Sequence, residues 1–231
     1  MSTIQAITIW AIPVLFAITL HEVAHGWMAK RFGDLTAQSL GRLSLNPIKH
    51  IDPIGTILVP GILIATTGYA FGWAKPVPVN FNLLKNPKKD MVWVAIAGPA
   101  ANLVMTLFWV MILLAFLSAA NNDGQYAVFF VYMALAGIFI NLILMVLNLL
   151  PVPPLDGGRV LSGLVPDQFS RIFSKIEPFG LFIMFGLLFA GLLNTLVFTP
   201  SIMILFFIMS FFGIQPAEFI PHLEMILGSS K

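Results

Sequence analysis

Long apolar stretches are the feature that most restricts how this chain can fold. A helix that crosses a bilayer needs about 20 apolar residues. Runs of this kind cover 4–29, 91–119, 126–149 and 179–198, and a shorter run covers 201–214. Only 10% of the residues are charged, compared with about 25% in soluble domains. We therefore predict an all-α polytopic membrane protein with a single domain over residues 1–231.

Cysteine is absent from the sequence. This excludes disulfides and thiolate ligands, so a bound metal ion would have to be held by His, Asp or Glu. The first apolar run lacks the basic residues and the cleavage site of a signal peptide, and we expect it to stay in the mature chain. The net charge of +2 is small. The basic residues are therefore interpreted as signals that set the orientation in the membrane, and not as a nucleic-acid-binding surface.

The run at 54–73 is long enough to cross a membrane but contains prolines and glycines. These interruptions are Pro60, Gly61, Gly68 and Gly72. If the run dips in and returns to the same side, all twelve Lys and Arg residues share one face, and the opposite loops, 119–125 and 198–201, carry none. This distribution fits the positive-inside rule. We predict a re-entrant segment, with the N-terminus outside and the basic loops on the cytoplasmic side of the cell (inner) membrane.

His21, Glu22 and His25 form a polar cluster near the end of the first apolar run. On a helix, the His-Glu-x-x-His spacing puts both imidazoles on one face, where they can bind one zinc ion, with the glutamate as base for a zinc-bound water. Alternatively, the histidines only pack and Glu22 pairs with a basic residue. No Lys or Arg inside an apolar run offers such a pair. An unpaired carboxylate there costs about 3 kcal/mol, which favours the metal site.

A catalytic zinc ion has three protein ligands, so a third residue is needed. Most acidic residues lie in loops, at helix borders or in the tail, which leaves Asp156 in the segment NLLPVPPLDGGRV at 148–160. Three prolines there forbid a regular helix, and Gly157–Gly158 allows a sharp turn. We expect an extended strip that points Asp156 at the histidines. The alternative is an ordinary proline-glycine loop.

Asn148 and Asn102 lie inside apolar runs. Asn148 precedes the strip, and its amide can donate a hydrogen bond to an oxyanion or orient a substrate, so we predict a catalytic role for it. Asn102 follows AGPA at 97–100, where small residues permit close packing of helices. Either an interhelical hydrogen bond or a functional role accounts for Asn102.

Several of these segments resemble the site-2 protease family of intramembrane zinc metalloproteases. HEVAH and NLLPVPPLDGGRV carry the resemblance, and GRLSLNPIKHIDPIGT, FGWAKPVPVN and AGPAAN are similar to its short prokaryotic branch, which has no PDZ or CBS domain. The resemblance implies that His21, His25 and Asp156 bind one zinc ion per chain. It also implies that Glu22 is the catalytic base and that Asn148 lies near the scissile carbonyl.

The resemblance covers roughly residues 8–165. It implies a three-helix catalytic core over about 4–165, with a membrane-associated β or re-entrant region after the first helix. The weakly alternating pieces at 37–47 and 75–81 are the candidate strands, and one of them could pair with an extended substrate. Further transmembrane helices are expected over about 179–214.

We therefore predict a zinc metalloendopeptidase that hydrolyses peptide bonds in or near transmembrane segments. Its expected partners are single-pass membrane proteins, already trimmed by another protease in regulated intramembrane proteolysis, and the lipid bilayer. No nucleic acid is expected as a partner. The alternatives are a divalent-metal transporter, which predicts polar residues along several helices, and a catalytically silent membrane scaffold, which predicts loss of a ligand or of the base.

Overall fold

The computed structural model describes residues 3–67, 72–121 and 124–227. In these ranges the chain is mostly helical and contains no strand. The α-helices there are α1 (Thr3–Arg31), α2 (Thr36–Ser39), α3 (Val59–Thr67), α4 (Pro87–Asn121), α5 (Gln125–Leu149), α6 (Asp156–Leu164), α7 (Asp167–Ile176), α8 (Gly180–Phe189), α9 (Thr199–Phe211) and α10 (Pro216–Leu227). Shorter 3-10 or π-helical pieces cover Pro47–His50, Pro53–Leu58, Phe81–Leu83, Glu177–Phe179 and Asn194–Phe198.

Five of the described helical segments are long and apolar enough to cross a membrane. They are Ile4–Arg31, Pro87–Ala120, Tyr126–Leu149, Asp167–Phe189 and Asn194–Phe211. The shortest has 18 residues; at ~1.5 Å per residue it is about 27 Å long, close to the thickness of a hydrocarbon core. Phe182, Phe207 and Phe211 are among the large apolar side chains exposed outside the bundle, as a lipid-facing surface requires. The predicted all-α polytopic membrane fold is confirmed.

Helices α1, α4 and α5 form the predicted three-helix core. Its centre is apolar and fully buried, with Val110 and Leu113 from α4 and Leu135 from α5. Close approach depends on a small residue, because a Cβ on Gly137 of α5 would overlap the ring of Trp109 on α4, as is typical of helix packing in membranes. Successive core helices run antiparallel. The end of α1, the beginning of α4 and the end of α5 therefore lie together at one end of the bundle.

The predicted re-entrant run at 54–73 has its two ends close together. The N–H of Trp73 donates to the carbonyl of Gly55 at 3.0 Å, and the hydroxyl of Thr56 donates to the carbonyl of Trp73 at 2.9 Å. A Cβ on Gly55 would overlap the Trp73 indole, so glycine is required for this contact. The two ends of the predicted 54–73 run therefore meet, as a re-entrant course requires. Gly68, one of the predicted interruptions, lies outside the described residues.

The predicted β-region is wrong for the part of the chain that the structure describes. Residues 37–39 belong to α2, and the remainder of 37–47 and 75–81 forms no strand. In the second piece, KPVPVN, Pro76 and Pro78 have no N–H, so one edge lacks the donors that a β-ladder needs. On the other edge, the N–H of Lys75 already donates to the carbonyl of His50, and that of Val77 to a side chain.

The C-terminal boundaries also differ from the prediction. The chain turns at Ala190 and Gly191, inside the predicted span 179–198, and the predicted loop 198–201 is helical. Gly191 has a φ of +70°, which favours glycine. Pro200 is tolerated because it lies in the first turn of α9, where its missing N–H breaks no helical hydrogen bond.

Helix α10 packs far from the end of the bundle where α1 and α5 finish. The ring of its His222 lies 5.5 Å from that of Tyr132. Tyr132 is 17 residues before Leu149 on α5, a distance of about 25 Å along the axis. The ring of Phe219 meets Phe206 of α9 and is fully buried. Helix α10 therefore covers the opposite end of the core.

Candidate metal centre

Two imidazoles on α1 face each other. His21 and His25 are one helical turn apart and therefore share a face of the helix. Both are buried, and their Nε2 atoms lie 3.0 Å apart. The predicted proximity of these two side chains is observed.

Asp156, the first residue of α6, reaches the same point. Its Oδ2 lies 3.2 Å from the Nε2 of His21 and 3.2 Å from that of His25. The carboxylate is buried, and within the described residues Oδ2 has no hydrogen-bond partner. The three side chains thus form one buried group of possible metal ligands.

The backbone around Asp156 is partly as predicted. Leu150 and Leu155 are extended, and the proline strip between them is not helical. The predicted sharp turn at Gly157–Gly158 is wrong, because Asp156 begins α6 and both glycines lie inside it. Their small size is still needed, since a Cβ on Gly157 would overlap the carbonyl oxygens of Leu149 and Leu150. Close packing of α6 against the end of α5 brings Asp156 to the histidines.

The donor set suits a zinc ion. The Nδ1 of His25 lies 2.7 Å from the carbonyl of Val94; a carbonyl only accepts, so Nδ1 carries the proton and the neutral ring keeps the Nε2 lone pair. Two imidazole nitrogens and a carboxylate oxygen at 3.0–3.2 Å repel one another unless a proton or a metal cation lies between them. Tetrahedral zinc, with ligands at about 2.0 Å, separates its donor atoms by about 3.3 Å. The residues present therefore fit this metal.

The backbone of α4 supports both imidazoles. A Cβ on Gly98 would overlap the Nε2 of His25, and it would lie 2.6 Å from the Cε1 atoms of His21 and His25. Asn102, one turn further along α4, has its Oδ1 2.6 Å from the Nδ1 of His21. Asn102 thus makes an interhelical hydrogen bond, and it makes it to a candidate ligand. The prediction of an interhelical hydrogen bond is confirmed, and a functional role for Asn102 stays a prediction.

Glu22 lies beside the two histidines and is held by the segment 72–80. Its Oε2 accepts a hydrogen bond from the N–H of Val77 at 2.7 Å. The side chain of Val77 fits against Gly26, where a Cβ would lie only 2.7 Å from it. Arg42 donates to the carbonyls of Lys75 and Pro76 and fixes the segment from the other side. The base candidate therefore has one carboxylate oxygen anchored.

Asn148 lies near the end of α5 and is partly buried. Its Nδ2 donates to the carbonyl of Leu144, one turn back on the same helix, at 2.9 Å. Among the described residues, no hydrogen bond joins Asn148 to His21, His25 or Asp156. The structure brings these last three residues together and leaves Asn148 outside the group.

Asn141 was not predicted. It is fully buried, and its Oδ1 accepts a hydrogen bond from the Nδ2 of Asn102 at 2.9 Å. A signal exists in the sequence: Asn141 is another amide inside an apolar run, seven residues before Asn148 and so two turns away on the same helix face.

Comparisons with known proteins agree with this site. The profile of Peptidase family M50 matches residues 118–193. A protein of Bacillus subtilis (strain 168) named "Putative zinc metalloprotease YwhC" is 42% identical over 197 residues, which cover 83% of this chain and 84% of that protein. A protein of Mycolicibacterium smegmatis named "Putative zinc metalloprotease Rip2" is 34% identical over 180 residues, covering 78% of this chain and 66% of that protein.

No solved structure matches the chain. The M50 profile and the similarity to YwhC over most of both chains are joined by a buried histidine–aspartate group that suits zinc. The chain therefore belongs to peptidase family M50, the site-2 protease family, and is a multi-pass membrane zinc metalloprotease.

Proposed function

We propose that this metalloprotease cleaves peptide bonds within or next to transmembrane segments of single-pass membrane proteins, in regulated intramembrane proteolysis. His21, His25 and Asp156 hold one zinc ion, and Glu22 is the general base. One observation carries the proposal: three buried ligand atoms converge at 3.0–3.2 Å on the inner face of a membrane-length helix.

The zinc ion would supply a Lewis acid and lower the pKa of a water molecule to about 7. Glu22 takes a proton from the water while the oxygen of that water forms a bond to the scissile carbonyl carbon. It then delivers this proton to the nitrogen of the leaving amine as the carbon–nitrogen bond breaks. The N–H of Val77 holds one oxygen of Glu22, and this keeps the carboxylate aimed during both transfers.

Asn148 is proposed to donate a hydrogen bond to the carbonyl oxygen as negative charge develops there. To do so, its amide exchanges the bond to Leu144 for a bond to the substrate. Binding of substrate then replaces a bond that Asn148 makes with its own helix.

The proposed orientation places the N-terminus outside and opens the site to the cytoplasm of the cell membrane. Lys30 and Arg31 end α1, and Lys88 and Lys89 lie in the first turn of α4, so basic residues lie at the same end of the bundle as the site, as the positive-inside rule requires. His21 is ten residues from Arg31, about 15 Å along the helix. Water therefore enters over about half the bilayer thickness.

The proposed substrates are single-pass proteins that another protease has already shortened. A membrane helix satisfies its backbone groups internally, so the segment to be cut must unwind locally before a carbonyl can reach the metal centre. A short transmembrane stump with few other contacts unwinds more easily than a helix packed in a larger domain. Membrane-bound regulators of transcription are proposed as one such class.

The test compares the wild type with Glu22→Gln, both purified in detergent. Bound zinc and cleavage of a transmembrane reporter are measured on the same samples. We expect about one zinc ion per chain in both proteins and cleavage by the wild type only, because the amide cannot take up the proton. His21→Ala and Asp156→Ala are the matched variants that should lose both zinc and cleavage.

The result can also contradict the proposal. Equal cleavage by wild type and Glu22→Gln would remove Glu22 from the chemistry. Zinc binding without cleavage of any pre-trimmed single-pass substrate would favour a metal transporter or a silent scaffold instead.

A further inference from the structure

We infer that Asn141 and Asn102 form an amide relay that holds His21 in the tautomer whose Nε2 can bind the metal ion. The relay runs from the carbonyl of Gly137 through the two asparagines to His21. Neither asparagine belongs to the ligand group, so both are positioning residues that act through His21. The inference rests on the metal centre proposed above.

The direction of the relay is set at its first member. The Nδ2 of Asn141 donates to the carbonyl of Gly137, one turn back on α5, at 2.8 Å. A backbone carbonyl only accepts hydrogen bonds. The amide of Asn141 must therefore turn its NH2 group to Gly137 and its Oδ1 towards α4.

The orientation of the Asn141 amide sets the orientation of the Asn102 amide. Its Nδ2 lies 2.9 Å from the Oδ1 of Asn141 and 3.3 Å from the carbonyl of Ala17 on α1. Both partners are acceptors, so the NH2 group of Asn102 faces them. Its Oδ1 then points to the Nδ1 of His21 at 2.6 Å.

The last member is the imidazole of His21. An amide oxygen only accepts, so the Nδ1 of His21 must carry the proton. In the neutral ring, Nε2 then keeps the lone pair that a metal ion needs. This is the arrangement in which an outer partner fixes the tautomer and orientation of a histidine ligand. His25 reaches the same state through one contact, its bond to the carbonyl of Val94.

Burial makes the relay depend on every member. Asn102 and Asn141 are both fully buried, with 0% of their surface exposed, in largely apolar stretches of α4 and α5. Water is therefore not at hand to replace a missing partner, and an unpaired amide there is costly. Asn148 provides a contrast on the same helix, since it is only partly buried.

The experiment measures how fast zinc leaves the purified, zinc-loaded protein when a chelator is added, with no substrate present. We expect Asn141→Leu to weaken zinc binding and speed zinc release, by at most the tenfold to hundredfold that loss of a direct outer partner usually costs. In an Asn102→Asp background, both side-chain oxygens can accept from Nδ1 whatever their orientation. Adding Asn141→Leu to that background should therefore not speed release further, because it removes an amide oxygen that would face the carboxylate.

Thr106→Val is the matched control. Thr106 is also fully buried, on the same helix as Asn102, and its hydroxyl donates to the backbone carbonyl of Asn102, but it does not touch the relay amides. We expect it to release zinc at the wild-type rate. If Asn141→Leu is no faster than Thr106→Val, the relay is wrong.

Equal acceleration by Asn141→Leu in both backgrounds would mean that Asn141 only packs, and this would overturn the relay alone. A wild type that retains no zinc would overturn the metal centre and the relay with it. Nitrogen-15 spectra of histidine in zinc-free protein give a second readout that does not need Asn102→Asp to fold. They should show His21 protonated at Nδ1 in the wild type and a mixture of tautomers in Asn141→Leu; an unchanged tautomer contradicts the relay.

Discussion

At Gly98 the backbone of α4 lies directly against both imidazoles of the metal centre, with no room for a Cβ. We expect Gly98→Ala to push His21 and His25 apart and to lower bound zinc well below one ion per chain, with cleavage lost in parallel. Zinc content and thermal unfolding should be measured together. Gly186→Ala is the matched control, because a Cβ at Gly186 in α8 meets nothing within 4 Å. Equal zinc content in the two variants would contradict the expectation.

The ligand group could be predicted from the sequence because it depends on residue spacing within one helix and on a short inventory of acidic residues. His-Glu-x-x-His fixes two imidazoles by helix geometry alone, and Asp156 is the acid that the inventory leaves in an apolar setting. Two partners escaped prediction for physical reasons. The anchor of Glu22 is a backbone N–H of Val77, which no side-chain inventory reveals, and Asn141 depends on the packing distance between α4 and α5.

Among the elements, the segment 72–80 has the clearest chemical role. Pro76 and Pro78 keep it extended and leave the N–H of Val77 as the donor between them, which binds Glu22. We expect Val77→Pro to remove this donor and to slow cleavage about tenfold or more, since a hydrogen bond to a charged group contributes about 1.5–3 kcal/mol. The measurement is kcat on a transmembrane reporter, with zinc content as a check.

Val77→Ala separates the donor from the side chain. It keeps the N–H but empties the contact with Gly26, so it should retain more activity than Val77→Pro. Both variants should keep their zinc, because Val77 touches the base and not the ligand group. If the two variants lose the same activity, the loss comes from packing of Val77 against Gly26, and the hydrogen bond to Glu22 does not contribute to activity.

Helix positions were predictable where apolar length alone decides them, as for α4 and α5. The incorrect predictions share one cause: the conformation of a short segment depends on contacts with other segments, which the local sequence does not show. The extended piece at 75–81 looks like a strand, but its prolines remove one set of donors and its contacts use the other. Gly191 is a single glycine in an apolar run, and only packing of the chain on either side selects the left-handed conformation that ends α8.

For the whole molecule, the two ends of the bundle have different tasks. The site, the basic residues that end α1 and begin α4, and the re-entrant segment lie at one end. At the other end, α10 closes the core with Phe219, which is fully buried. Since α9 leads from the side of α5 to α10, the C-terminal helix is expected across the membrane from the site. Lys231, which is expected on the basic face, lies outside the described residues.

This arrangement can be measured directly because the chain has no cysteine, so a single introduced thiol reports its own side of the membrane. Ser39, Lys75 and Ala217 are exposed and lie before the re-entrant segment, after it and in α10. In intact protoplasts, a membrane-impermeant maleimide should label Ala217→Cys, whereas Ser39→Cys and Lys75→Cys should react only after the membrane is opened. Labelling of Lys75→Cys but not Ser39→Cys from outside would mean that 54–73 crosses the membrane. Protection of Ala217→Cys would place α10 on the same side as the site, in conflict with its packing against Tyr132.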